Sequence, residues 1–170
     1  SQQVLEYDEG GKAVQTAMLV NEIQKFFVEE TRLGIPIIPF DEALHGLVRK
    51  GATAYPQSIA LAATWDTSLM RDVALAIAME TKTRGIRQVL SPVINIARDV
   101  RWGRTEETYG EDPFLTTRMG IAFISEFENL GIITTPKHFV ANVGEGGRDS
   151  YPIHYNERLL EEVYFPAFKT

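Results

Sequence analysis

Cysteine is absent from all 170 positions, which excludes disulfides and thiolate metal sites. That absence suits the cytosol and the periplasm equally and selects neither. No apolar run reaches the roughly 18 residues of a membrane-spanning helix, so no membrane partner is expected. The chain starts at Ser1 without the pattern of a signal peptide. Cations are in the minority. Seventeen Lys and Arg stand against 23 Asp and Glu, for a formal net charge of -6, and nucleic acid is excluded as an expected partner because phosphate binding wants a basic face. Internal repeats and low-complexity tracts are also missing. What is present, 44% hydrophobic residues, suffices for one ordinary domain with a real core.

Residues 1–11 are polar and end in a glycine pair, and read as a loose arm. From Lys12 to Thr31, Val14, Ala17, Met18, Ile23, Phe26 and Phe27 recur at near-helical spacing. A short buried strand, Ile35–Phe40, follows Gly34. Asp66 is a good N-cap for a helix running to about Arg84, with Gly85 as its left-handed stop. A second strand covers Gln88–Asn95, and a charged, glycine-bearing loop runs from Arg98 to Asp112. Asp112-Pro113 then opens a helix whose apolar side is Phe114, Met119, Phe123, Ile124 and Phe127, closed by Gly131. The third strand is Ile132–Thr135. A long polar loop and a last helix from near Asn156 toward Pro166 complete the chain.

Helix and strand thus alternate, which predicts a parallel sheet with crossover helices. The strands are apolar throughout, as expected when both sheet faces are covered. Long polar loops follow the strands and short glycine turns follow the helices, so the functional end is the C-terminal end of the strands. There stand Asp41, the loop holding Arg104, and the pair Lys137-His138. A complete eight-stranded barrel needs roughly 250 residues. Three strands and no closing strand predict an incomplete TIM-type (β/α)8 barrel, its N-terminal portion only.

The motifs are more specific than the pattern. Gly34-Ile35-Pro36, Asp41-Glu42-Ala43-Leu44-His45-Gly46 and Thr53-Ala54-Tyr55-Pro56-Gln57 come first, and Ala63-Thr64-Trp65-Asp66 and Ser91-Pro92-Val93 follow. Then come Arg98-Asp99-Val100-Arg101-Trp102-Gly103-Arg104, Tyr109-Gly110-Glu111-Asp112-Pro113, Lys137-His138-Phe139 and Glu145-Gly146-Gly147-Arg148-Asp149. In this order they make the chain resemble the N-terminal barrel domain of glycoside hydrolase family 3, the β-glucosidase and β-xylosidase family. The resemblance covers nearly everything from about residue 20. Thr108 departs from the serine usual in its motif, a small change.

The resemblance implies a sugar-binding set of Asp41, Arg104, Lys137, His138 and Arg148. Lys137 and His138 are expected to act as two donors spanning adjacent hydroxyls, and Asp41 as a charged acceptor on the far side of the ring. Four of the five also have a plainer reading. Lys137 also reads as a surface lysine, His138 as a satisfied core histidine, Asp41 as the cap of a turn through Ala43–Leu44, and Arg148 as an exposed loop cation. Arg98 and Arg101 read as ion-pair partners of Asp99, Glu106 or Glu107. His45 reads as structural in its loop, Glu111-Asp112 as a helix cap, and Trp65 and Trp102 as packing residues. Lys137 further suits a Schiff-base lysine of an aldolase-type barrel.

Within the family, the N-acetylglucosaminidase branch carries a second histidine after the lysine-histidine pair. Asn142 holds that position here, and Asp149 alone does not replace the histidine-aspartate pair, which favours the glucosidase/xylosidase branch. A retaining glycosidase needs two carboxyls roughly 5 Å apart. The family's aspartate nucleophile and glutamate acid/base have no counterpart after Arg148, so both are expected beyond Thr170. The implied activity is hydrolysis of terminal β-D-glycosidic bonds in an oligosaccharide or an aryl or alkyl β-glycoside. It calls for no cofactor and no metal. The rest of the barrel and a C-terminal domain are the expected partners, and the expected location is periplasmic or secreted. The other reading is a non-catalytic sugar-binding fragment.

Overall fold

The computed structural model describes residues 13–47, 49–142 and 152–170. The predicted arm therefore lies outside the described residues. Helix α1 spans Ala13–Lys25 and runs on as a wider, π-type turn over Phe26–Glu30. Together they fill the predicted first helix. Strand β1 is Phe40–Asp41. The short helix α2, Ser58–Ala62, was not foreseen by the periodicity; it leads into α3, Thr67–Thr83. Strand β2 is Gln88–Val89, a single 3₁₀ turn covers Thr105–Glu107, and α4 spans Pro113–Asn129. Strand β3 is Ile133–Thr134. At the C-terminus α5, Glu157–Leu159, continues through a π-type turn to Tyr164, and α6 is Pro166–Lys169.

The caps anticipated from sequence form. The Asp66 carboxylate accepts from the backbone N–H of Ser68 and Leu69, and Asp112 accepts from that of Leu115. Asn156 does the same for Leu159. Gly85 and Gly131 close α3 and α4 at φ of 80° and 73°, the left-handed region that glycine enters without a Cβ penalty.

The three strands form one parallel sheet in the order β1-β2-β3, with Asp41 opposite Val89 and Val89 opposite Thr134. They are shorter than predicted. Pro36, Pro39, Pro92 and Pro136 have no N–H to give to a ladder, so the regular pairing stops close to them. Single backbone bonds carry the association further. Leu90 N–H donates to Asp41 O at 2.9 Å, Thr135 N–H to Ser91 O at 3.0 Å, and Ile94 N–H to Lys137 O at 2.9 Å. An isolated parallel bridge joins Val93 to Lys137. These bonds bring the residues after β3 alongside those after β2, at the C-terminal end of the sheet.

Helices α3 and α4 pack on one face of the sheet. Ala74, Ile77 and Ala78 of α3 meet Met119, Phe123 and Phe127 of α4 over Val89 and Ile132, all buried in one apolar cluster. Phe123 and Phe127 stack with ring centroids 4.5 Å apart. Removing either ring would cost about 3–5 kcal/mol.

The opposite face is open. Ile132 is buried under α4 while its neighbour Ile133, pointing to the other face, is 47% exposed. Ile35 and Ile38 are exposed as well. The expectation of strands covered on both faces is thus corrected: among the described residues, helices cover one face only. Phe114 is a second correction. At 72% exposure it stands off the start of α4 rather than joining its apolar side. Three parallel strands with crossover helices constitute an incomplete (β/α) barrel.

Candidate sugar-binding corner

Lys137 follows β3 and reaches across the end of the sheet to the residue after β1. Its Nζ donates to Glu42 Oε1 at 2.7 Å. The lysine side chain is largely buried and that of Glu42 is half exposed, so the pair lies at the rim of the open end. A Schiff-base lysine presents its amine to a carbonyl substrate, whereas this amine is engaged by Glu42, which disfavours that reading.

His138 is held by Asn95, from the chain beyond β2. Asn95 is fully buried, and its Oδ1 lies 2.8 Å from the His138 backbone N and 2.9 Å from Nδ1. Its Nδ2 faces the carbonyls of His138, Val140 and Ala141 at 2.9, 3.1 and 3.2 Å. The peptides Lys137–His138 and Phe139–Val140 are both cis. On the other side of the ring, Nε2 lies 3.1 Å from Arg104 Nη1. A guanidinium only donates, so in this contact the imidazole accepts, whereas sequence reasoning assigned it as a donor.

Arg104 is itself aimed by Glu107, one 3₁₀ turn later. Nε donates to Oε1 at 2.7 Å and Nη2 to Oε2 at 2.6 Å, a bidentate pair. Partial burial works to raise the Glu107 carboxyl pKa. The Arg104 bonds and charge, with Lys137 and His138 behind them, outweigh it and hold the carboxyl below its usual range. The anticipated pairing of Arg101 is with Asp99, at 2.6 Å. That guanidinium pulls the Asp99 carboxyl down to about 2.

Asp41 does not stand where it was expected. Its carboxylate is nearly buried and turned to the flank of the sheet. Arg49 Nε and Nη2 both bond Oδ2 at 2.8 Å, and the Glu42 N–H donates to Oδ1 at 2.7 Å. The acceptor exposed at the mouth is Glu42, one residue on. Side chains alternate along a strand, so in Asp41-Glu42 one carboxylate faces the flank and the other the mouth. The sequence does not say which. Asn95 was also missed, although an asparagine inside the apolar run Val93–Ile96 was a visible signal, since a buried amide must find partners.

Arg148 lies outside the described residues, so the structure brings together Arg104, Lys137 and His138 of the five predicted residues. His45 is structural as read, with Nδ1 3.1 Å from Tyr55 O. Trp102 packs with Val93 and Leu44. Trp65 does not pack: it is 69% exposed, with φ of 56°. Among the described residues no group of three or more His, Cys, Asp or Glu is placed to hold a metal ion, and no helix is long and apolar enough to cross a membrane.

The end of the sheet thus carries two cations, an imidazole and a half-exposed carboxylate. The chain belongs to glycoside hydrolase family 3: residues 4–170 match the model of the glycosyl hydrolase family 3 N-terminal domain. A β-xylosidase of Formosa agariphila is 39% identical over 158 residues, covering 81% of this chain and 21% of that protein. A β-glucosidase of Rhizobium radiobacter is 36% identical over 145 residues, covering 81% and 18%. Among solved structures, a β-glucosidase from Erythrobacter marinus superposes with a TM-score of 0.88 at 35% identity, over 95% of this chain and 22% of that one. The chain thus spans about a fifth of the length of these relatives.

Proposed function

We propose that this chain supplies part of the sugar-binding subsite of a retaining β-glycosidase that cleaves terminal β-D-glucosidic or β-D-xylosidic bonds. The observation that carries the reading is the convergence of Lys137, His138, Arg104 and Glu42 at the C-terminal end of the three strands. A sugar ring presents several vicinal hydroxyls, each able to donate once and accept twice. A corner that mixes charged donors with acceptors engages them in both senses. Arg104 and Lys137 donate, while Glu42 accepts.

The reaction itself needs two further carboxyls. We assign these to an aspartate nucleophile and a glutamate acid/base beyond Thr170, carried by the remaining barrel strands and a C-terminal domain. Hydroxyl contacts near the anomeric carbon strengthen as the oxocarbenium-like transition state forms, so this corner acts on kcat as well as on binding. Arg148 belongs to the same set in this reading, and a periplasmic or secreted location goes with it.

The test is hydrolysis of aryl β-glucoside and aryl β-xyloside by the full-length protein and by residues 1–170 alone. Activity confined to the full-length protein is the expected result, and turnover by the isolated chain would overturn the account of the carboxylates. Cell fractionation tests the location.

A further inference from the structure

Asn95 has a use that neither packing nor the sugar contacts explain. Its amide orientation is unambiguous, because Nδ2 faces three carbonyl oxygens and can only donate to them. Oδ1 must then be the atom facing His138, where it accepts from the backbone N–H and leaves Nδ1 only the role of a donor. We propose that Asn95 is a positioning residue of the glycoside site: it holds the imidazole proton of His138 on Nδ1, so that Nε2 is the acceptor of the ring and receives Arg104 Nη1.

Arg104 fits that tautomer, since its Nη1 donates to Nε2 at 3.1 Å. The Nε2 lone pair and the Glu107 carboxylate then hold the guanidinium from two sides, so Asn95 acts on the ligand through the aim of Arg104. Among the described residues, the charged groups around the ring are Arg104 and Glu107 from the loop after β2, Lys137 on its own segment, and Glu42 through Lys137.

The inference rests on the sugar-site reading for its consequence, but not for its test. In the full-length protein labelled with 15N-histidine, a long-range 1H–15N correlation should show the His138 proton on Nδ1, with the signal assigned by its loss in His138→Gln. A protonated Nε2 beside a bare Nδ1 would overturn the proposal, whatever the activity. Asn95→Asp places a carboxylate against Nδ1–H and favours the imidazolium. The acidic limb of the kcat/KM profile on aryl β-glucoside should then move up by about one pH unit or more. A uniform loss at every pH, with the limb unmoved, would make Asn95 merely structural and sink the idea. If Asn95→Asp fails to fold, the wild-type spectrum decides alone. If the full-length protein cleaves no β-glycoside, the functional reading fails while the tautomer is still judged by the spectrum.

Discussion

Lys137 and Glu42, 95 positions apart in the chain, meet at 2.7 Å across the end of the sheet. The contact joins the residue after β1 to the residues after β3 and sets the spacing of the corner's donor and acceptor. Lys137→Ala in the full-length protein should therefore lower kcat/KM on aryl β-glycosides roughly 10- to 100-fold, the loss of one or two charge-assisted hydrogen bonds. Glu42→Gln should act in the same direction with an unchanged thermal midpoint. A double-mutant cycle should show the two effects to be non-additive.

Asp41 should behave in the opposite way. Its carboxylate serves Arg49 and a backbone N–H rather than the mouth. Asp41→Ala leaves the Arg49 guanidinium without its partner at a largely buried position, a change that costs about 3 kcal/mol. Thermal unfolding should show that loss, and KM for the glycoside should stay near the wild-type value. A raised KM with unchanged stability would restore Asp41 to the sugar-binding set.

Glu107 gives a dependence on pH. Its carboxyl is held below its usual range in the folded chain. Its contribution to stability is therefore complete above the unfolded-state value and is lost as pH falls through the folded one. The thermal midpoint should drop on acidification, and Glu107→Gln should flatten that part of the curve. Asp99 acts with the same sign between about pH 4 and about 2. Since its ion pair with Arg101 lies at the surface, Asp99→Asn should leave stability at pH 7 nearly unchanged.

Two glycines of one loop should separate conformational strain from steric clash. Gly46 has φ of 109°, and a Cβ there would sit 2.2 Å from Thr53 O. Gly51 has φ of 76°, with nothing within 4 Å of the same added atom. Gly51→Ala should cost about 1–2 kcal/mol, the left-handed penalty alone. Gly46→Ala should cost clearly more, because backbone must also move, and equal thermal midpoints for the two variants would contradict the geometry.

Much of the fold was legible along the chain because its signals are local. A carboxylate before a helical run, proline at the first helical position and glycine after the last turn each act within four residues. All three mark α4, and the Asp66 cap and Gly85 mark α3 in the same way. The prolines gave a local warning too, and the strands end close to them. The motifs around Arg104 and Lys137-His138 were likewise readable, since spacing and order suffice to match a family.

What sequence alone could not decide was direction. Asp41 and Glu42 are adjacent carboxylates of nearly equal chemistry. Only the placement of Arg49 on one side of the sheet and Lys137 on the other assigns one to the flank and the other to the mouth. His138 was recognisable as a candidate, but its role as acceptor toward Arg104 depends on Asn95 and Arg104, which are brought to it from 43 and 34 positions away. Local hydrogen bonding and chain geometry determined the elements. Contacts between residues far apart in sequence decided which polar atom faces the open end of the sheet, because hydrogen-bond direction is settled only when both partners are in place.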